Sequence, residues 1–141
     1  MDPASAVIGI VSFGFTVFSK VNDVLKAIRG ASEQLEALQG LSSDIEVLLS
    51  ALQRVDTDAH LRFRSQEELA YLDRLRVRAQ RSLEQVNVFA EKVQRASSTS
   101  SSVRRVKLFS WYIKKKNFED ISRKMKDLES SLGLMMAFIN S

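Results

Sequence analysis

Few residues in this chain could do covalent or metal chemistry. His60 is the only histidine among 141 residues, and there is no cysteine. It stands in the polar stretch DTDAHLRFRS, with no serine-histidine-aspartate or cysteine-histidine set around it. A general base needs a partner within hydrogen-bond reach and an organised pocket, and a lone loop histidine supplies neither. Without cysteine there is no disulfide framework and no thiolate metal site. One histidine and scattered carboxylates do not form a ligand set. Gly9 and Gly14 lie inside an apolar segment, not between a strand and a helix, so they do not make a phosphate-cradling loop. The acidic pairs Glu67, Glu68 and Glu119, Asp120 fall at predicted helix N-termini, where they complement the helix dipole. The sequence therefore predicts a protein that is not an enzyme and needs no cofactor or metal.

The chemistry that remains is ionic. From Arg104 to Lys126 there are nine lysines and arginines against two acids. Phe109, Trp111, Tyr112 and Phe118 are interleaved with them. Arg104, Arg105, Lys107, Lys114, Lys115 and Lys116 are the candidates for meeting anionic headgroups, each worth up to ~1 kcal/mol near such a surface. The competing reading puts Phe109 and Phe118 in the core and the lysines on a solvated face. No recognised nucleic-acid motif accompanies the cluster, so no nucleic acid is expected as a partner; a steeply salt-dependent affinity for DNA or RNA would reverse that. The whole chain has a formal charge of +4, which is also compatible with an ordinary soluble surface.

The second unusual feature is the N-terminus. From Ala4 to Ser19 there are 16 residues without a charge. A secretory signal would begin with a basic region, but the only early side-chain charge is Asp2. A bilayer core needs ~20 apolar residues, so the run is somewhat short of a span. Within it, Ser5, Gly9, Ser12 and Thr16 step by three and four and form a narrow stripe of small residues. Small residues four apart are what close helix packing uses.

The elements that must position these features are helices. The chain has five glycines and a single proline, at position 3, so nothing later is barred from helix by proline. Asp2-Pro3 is a helix start, and the first helix is expected from Pro3 to about Ile28, with Gly30 as its stop. A second is expected from Ser32 to Val55, with Leu35, Leu38, Leu41, Ile45, Leu48, Leu52 and Val55 on its apolar face. Gly40, inside it, marks a bend or a close helix contact. Residues 56–65 lose the period and read as a loop. A third helix is expected from Gln66 to Ala96, and SSTSSS (97–102) as a flexible connector. Residues 103–140 read as helix in two parts, with a break near Lys116-Asn117. The sum is one domain over 1–141, all-α: an antiparallel four-helix bundle with an additional short helix.

The MDP start, the segments VIGIVSFGFTVFSKVNDVLKAI and LSSDIEVLLSALQRV, and the late WYIKKKNFEDISRKMKDLESSLGLMMAFI together resemble the N-terminal HeLo-like domains of fungal STAND (NOD-like) receptors. The resemblance implies the effector domain of a longer receptor, with a nucleotide-binding module and repeats beyond Ser141. It implies a cytoplasmic protein that becomes membrane-associated on activation. Such a domain acts in programmed cell death and innate immunity: it forms a homo-oligomer with itself, binds anionic membrane lipids, and releases its first helix. Ser5, Gly9, Ser12 and Thr16 would then pack helix on helix or line a pore. The alternative is an oligomerisation or adaptor module that never enters a membrane.

Overall fold

The computed structural model describes residues 2–26, 33–98 and 115–141. The first helix, α1 (Pro3–Lys26), begins where its sequence signals place it. The Asp2 carboxylate accepts from the Ser5 amide at 3.3 Å and the Ser5 hydroxyl at 3.2 Å. This satisfies a donor that the first turn would otherwise leave bare. Gly30 and the SSTSSS connector beyond Ser98 lie outside the described residues. The second helix, α2 (Glu33–Arg54), follows the expected span.

The stretch read as a loop contains a short helix, α3 (Thr57–Leu61). Asp56 caps it, its carboxylate accepting from the Ala59 amide at 3.2 Å. Five residues are too few for a hydrophobic period, so only the cap could have announced it. The fourth helix, α4 (Gln66–Ser98), opens on a reciprocal cap. Ser65 Oγ accepts from the Glu68 amide at 3.1 Å, and Glu68 Oε1 accepts from the Ser65 amide at 3.2 Å. The fifth, α5 (Lys115–Ile139), runs unbroken through Asn117.

The described residues are all-α, with four long helices and one short one. α1 packs on α2 and α4, and α5 packs on the same two, so α2 and α4 stand at opposite corners. The pinning contacts give the directions. Lys20, late in α1, meets Glu91, late in α4, so these neighbours run parallel. Asn22, late in α1, meets Ser42 in α2, while Ala4 and Ile8 line a groove with Leu52, so α1 and α2 are antiparallel. Phe138, at the end of α5, stacks near Tyr71 at the start of α4, so these two are antiparallel as well. Chain-consecutive long helices thus alternate in direction, and α3 carries the chain across the bundle diagonal from α2 to α4.

One core runs through all four long helices, and Phe18, Ile45, Leu49, Leu83, Leu128, Leu132 and Ile139 sit deep in it. On α2 the buried line includes Leu49, fully covered, while Leu48 is only half-buried. The reason is Gly14. A Cβ built there would lie 2.7 Å from Leu49 Cδ2, so α1 has a hollow at Gly14 that Leu49 fills. Gly40 is exposed and a Cβ there would meet nothing, so the close helix contact expected at that glycine is absent. Arg64 ties the end of α5 to the start of α4. Its guanidinium donates to the Glu68 carboxylate at 2.8 Å and to the Phe138 and Ser141 carbonyls at 2.9 Å. The Arg64 hydrogen bond, with help from the Ser65 cap, holds the Glu68 carboxyl below its ordinary range.

Candidate functional site

The N-terminal helix is the candidate site, and its sequence divides it lengthwise. Apolar residues cover a wide arc, and the remaining narrow stripe is small or polar. The fold turns that stripe outward. Ser5, Gly9, Ser12 and Thr16 are all exposed, and a Cβ at Gly9 would meet nothing within 4 Å. Two of the stripe's hydroxyls bond locally: Ser5 donates to the Asp2 carboxylate just before α1, and Thr16 Oγ1 donates to the Ser12 carbonyl at 3.1 Å. Among the described residues, then, the small stripe packs against no other helix. The glycine that does serve packing is Gly14, outside the stripe.

The opposite face of α1 is core. Val7, Ile10, Val17, Phe18, Val21 and Leu25 are each 2% exposed or less. The helix has 24 residues, which makes it about 36 Å long. Its most apolar 18-residue window has a mean hydropathy of 1.7, and half of that window is buried inside the bundle. By length and composition α1 could cross a bilayer; by position it is a core helix.

Among the described residues, polar contacts hold only its second half to other helices. Lys20 Nζ donates to Asn87 Oδ1 and Glu91 Oε1 on α4, both at 3.2 Å. The Lys20 ammonium, first by its hydrogen bond and then by its charge, keeps the Glu91 carboxyl below its ordinary value. On the other side, Asn22 donates to the Glu46 carboxylate and accepts from the Ser42 hydroxyl at 2.9 Å. The first half of α1 is instead flanked by two grooves. One, against α4, is lined by Pro3, Ala6, Leu69 and Asp73; the other, against α2 and α3, by Ala4, Ile8, Val55 and Asp58.

The same end of the bundle carries Phe63, 91% exposed, between Arg62 and Arg64 in the α3–α4 connection. Ile8, 59% exposed, lies on α1 nearby in height. Sequence reading passed over Phe63 because it sits in an aperiodic stretch; the signal was an aromatic ring set between two arginines. Of the basic candidates, Arg104, Arg105, Lys107 and Lys114 lie outside the described residues. Lys115 and Lys116 form the first turn of α5. His60 is exposed on α3, and among the described residues no histidine and carboxylate cluster could hold a metal ion.

No family model matches the chain, and neither a curated protein nor a solved structure matches it.

Proposed function

We propose that this chain is a membrane-targeting effector domain of the cell-death and immune type, acting by oligomerisation and release of α1. The observation that carries this reading is the double character of α1. It is long and apolar enough to span a bilayer, yet half of its most apolar window is folded into the core.

Energetics explain why release needs a membrane. Exposing Val7, Ile10, Val17, Phe18, Val21 and Leu25 to water costs ~1.5–3 kcal/mol each, on the order of 9–18 kcal/mol together. That matches or exceeds the ~5–15 kcal/mol that holds a whole domain folded. α1 therefore leaves the bundle only when another apolar medium receives it. Lipid is such a medium, and the first half of α1, without polar ties to other helices, is the part that can leave first.

Phe63 supports an end-on approach, since an exposed ring beside Arg62 suits the boundary between headgroups and acyl chains. The basic residues Arg104, Arg105, Lys107 and Lys114–Lys116 would add attraction to anionic lipid. Leakage of dye from anionic vesicles under forced oligomerisation tests the reading. Vesicle binding should fall when Lys114, Lys115 and Lys116 are changed together to Glu, and also for Phe63→Ser. A chain that neither binds such vesicles nor releases dye overturns it.

The second reading, an adaptor module that stays in water, is favoured by the outward small stripe. Ser5, Gly9, Ser12 and Thr16 offer a low ridge to another helix without any unfolding of the bundle. Oligomers without lipid binding would decide for it.

A further inference from the structure

The outer faces of α2 and α4 carry opposite charge. On α4, Arg74, Arg78, Arg81, Lys92 and Arg95 are exposed along one line. Of the acids of that helix, Glu68 pairs with Arg64 at 2.8 Å, Asp73 with Arg76 at 2.8 Å and Glu91 with Lys20 at 3.2 Å and Arg95 at 3.5 Å, while Glu67 and Glu84 are exposed, so the basic side chains outnumber the free acids. Among the described residues, Arg78, Arg81 and Lys92 are in no ion pair. On α2, Glu33, Glu36 and Asp44 are exposed, also without an ion pair there, so the first two-thirds of its outer face is acidic; Arg54 is exposed in the last turn. The charged faces also show exposed valines, Val47 on α2 at 65%, and Val88 at 49% and Val77 at 39% on α4.

These features stand at matching heights. Lys20 and Asn22 are neighbours on α1. Lys20 reaches Asn87 and Glu91 on α4, and Asn22 reaches Ser42 and Glu46 on α2. Asp44 and Val47 are therefore level with Val88 and Lys92. The two faces occupy opposite corners of the bundle, so one molecule cannot bring them together. A second copy, shifted sideways without rotation, can. It sets Asp44 against Lys92 and Val47 against Val88, with Glu33 and Glu36 toward the Arg95 end. Ser43 and Gly40 leave room for the long basic side chains, since a Cβ at Gly40 would meet nothing.

We infer that a second copy of this chain docks here, the basic face of α4 on the acidic face of α2. The contact is heterologous, so each copy keeps one free face of either sign and the arrangement extends into an open row. One helix pair buries less than the ~1,200 Å² of a stable standard interface, so the contact is weak between free chains and strengthens when copies are tethered. Salt opposes it, because exposed charges are screened beyond about 8–10 Å. The inference rests on the oligomerising reading above for its purpose, but the association needs no membrane.

Sedimentation of the 141-residue chain at high protein concentration and low ionic strength tests it without lipid. The wild type should form concentration-dependent oligomers that dissociate as salt is raised. Asp44→Lys alone and Lys92→Asp alone should each weaken self-association about tenfold or more. Mixed in equal amounts, these two variants should associate again, since every α2–α4 contact between unlike copies then sets opposite charges at positions 44 and 92. The chain carrying both changes should recover the larger oligomers. Both positions are exposed, and unchanged helical circular dichroism and melting verify that the variants fold. A wild type that stays monomeric, or an equimolar mixture that associates no better than either variant alone, overturns the inference. So does a Lys92→Asp variant that loses binding to anionic vesicles while its self-association is unchanged, because the basic face would then belong to lipid. Failure of vesicle leakage, by contrast, overturns only the membrane reading.

Discussion

Between Val17 and Leu25, α1 is fixed to both neighbours by polar ties as well as apolar burial, whereas between Ala4 and Val11 burial alone holds it to them among the described residues. In the second half, Lys20 and Asn22 hook onto α4 and α2. In the first half, the side-chain hydrogen bonds stay local, as at Ser5, and open grooves flank the helix. The difference matters because apolar contacts are non-directional and transfer readily to another apolar medium. Hydrogen bonds need particular partners, and a partner left behind unsatisfied is expensive. The first half is thus built to be exchanged, and the second half to keep register.

The largest effect expected along α1 is at Phe18, which has no exposed surface. Phe18→Ala should lose about 3–5 kcal/mol of unfolding free energy in denaturant titration. Ile8→Ala, at a site 59% exposed, should stay within about 0.5 kcal/mol. Equal losses at both would erase the distinction between the two faces. At the junction of the halves, Gly14→Val should lose about 1–3 kcal/mol by overpacking Leu49. Asn22→Ala, which strands the Ser42 hydroxyl and the Glu46 carboxylate, should lose about 1–2 kcal/mol.

Gly9→Ala should act in the opposite direction. Its Cβ meets nothing, and alanine is the better helix former, so the gain should reach up to about 1 kcal/mol. If Gly9→Ala also suppresses vesicle leakage, the flexibility of the first half is part of function. The smallest effect expected is at the Lys20–Glu91 tie. The folded Glu91 carboxyl lies below its ordinary 4.5. Its stabilising contribution is therefore complete above that ordinary value and is lost as pH falls through the lowered one. The stability difference between wild type and Glu91→Gln should accordingly shrink as pH drops below 4.5, read from thermal melts across the acid range.

Much of the fold was legible from periodicity, because long amphipathic helices announce their faces. On α4, Leu72, Leu75, Ala79, Leu83, Val86, Ala90 and Val93 are buried as their spacing predicts, and Leu69, at the head of the same spacing, is half-buried. Legibility failed where neighbouring apolar residues compete for one place. Leu49 is deeper than Leu48, and Ile139 deeper than Phe138, because Gly14 and Arg64 on other elements shape what each site accepts. It failed again at α3, which is shorter than any readable period. At the candidate site, the small stripe of α1 was legible as a stripe, but its direction was not. With apolar residues over most of the helix, spacing alone does not say which side meets the core.

What the sequence determined by itself is local: helix starts at Asp2-Pro3 and Gln66, the apolar period of each long helix, and the absence of cysteine chemistry. Those follow from interactions a few residues apart, which any chain with these residues would make. The tertiary structure alone decided that Ser5, Gly9, Ser12 and Thr16 face water, and that Gly14 receives Leu49. It also decided that the acidic face of α2 and the basic face of α4 point to opposite sides of the bundle. These depend on which helix becomes the neighbour of which, and that choice is made by packing the whole core at once.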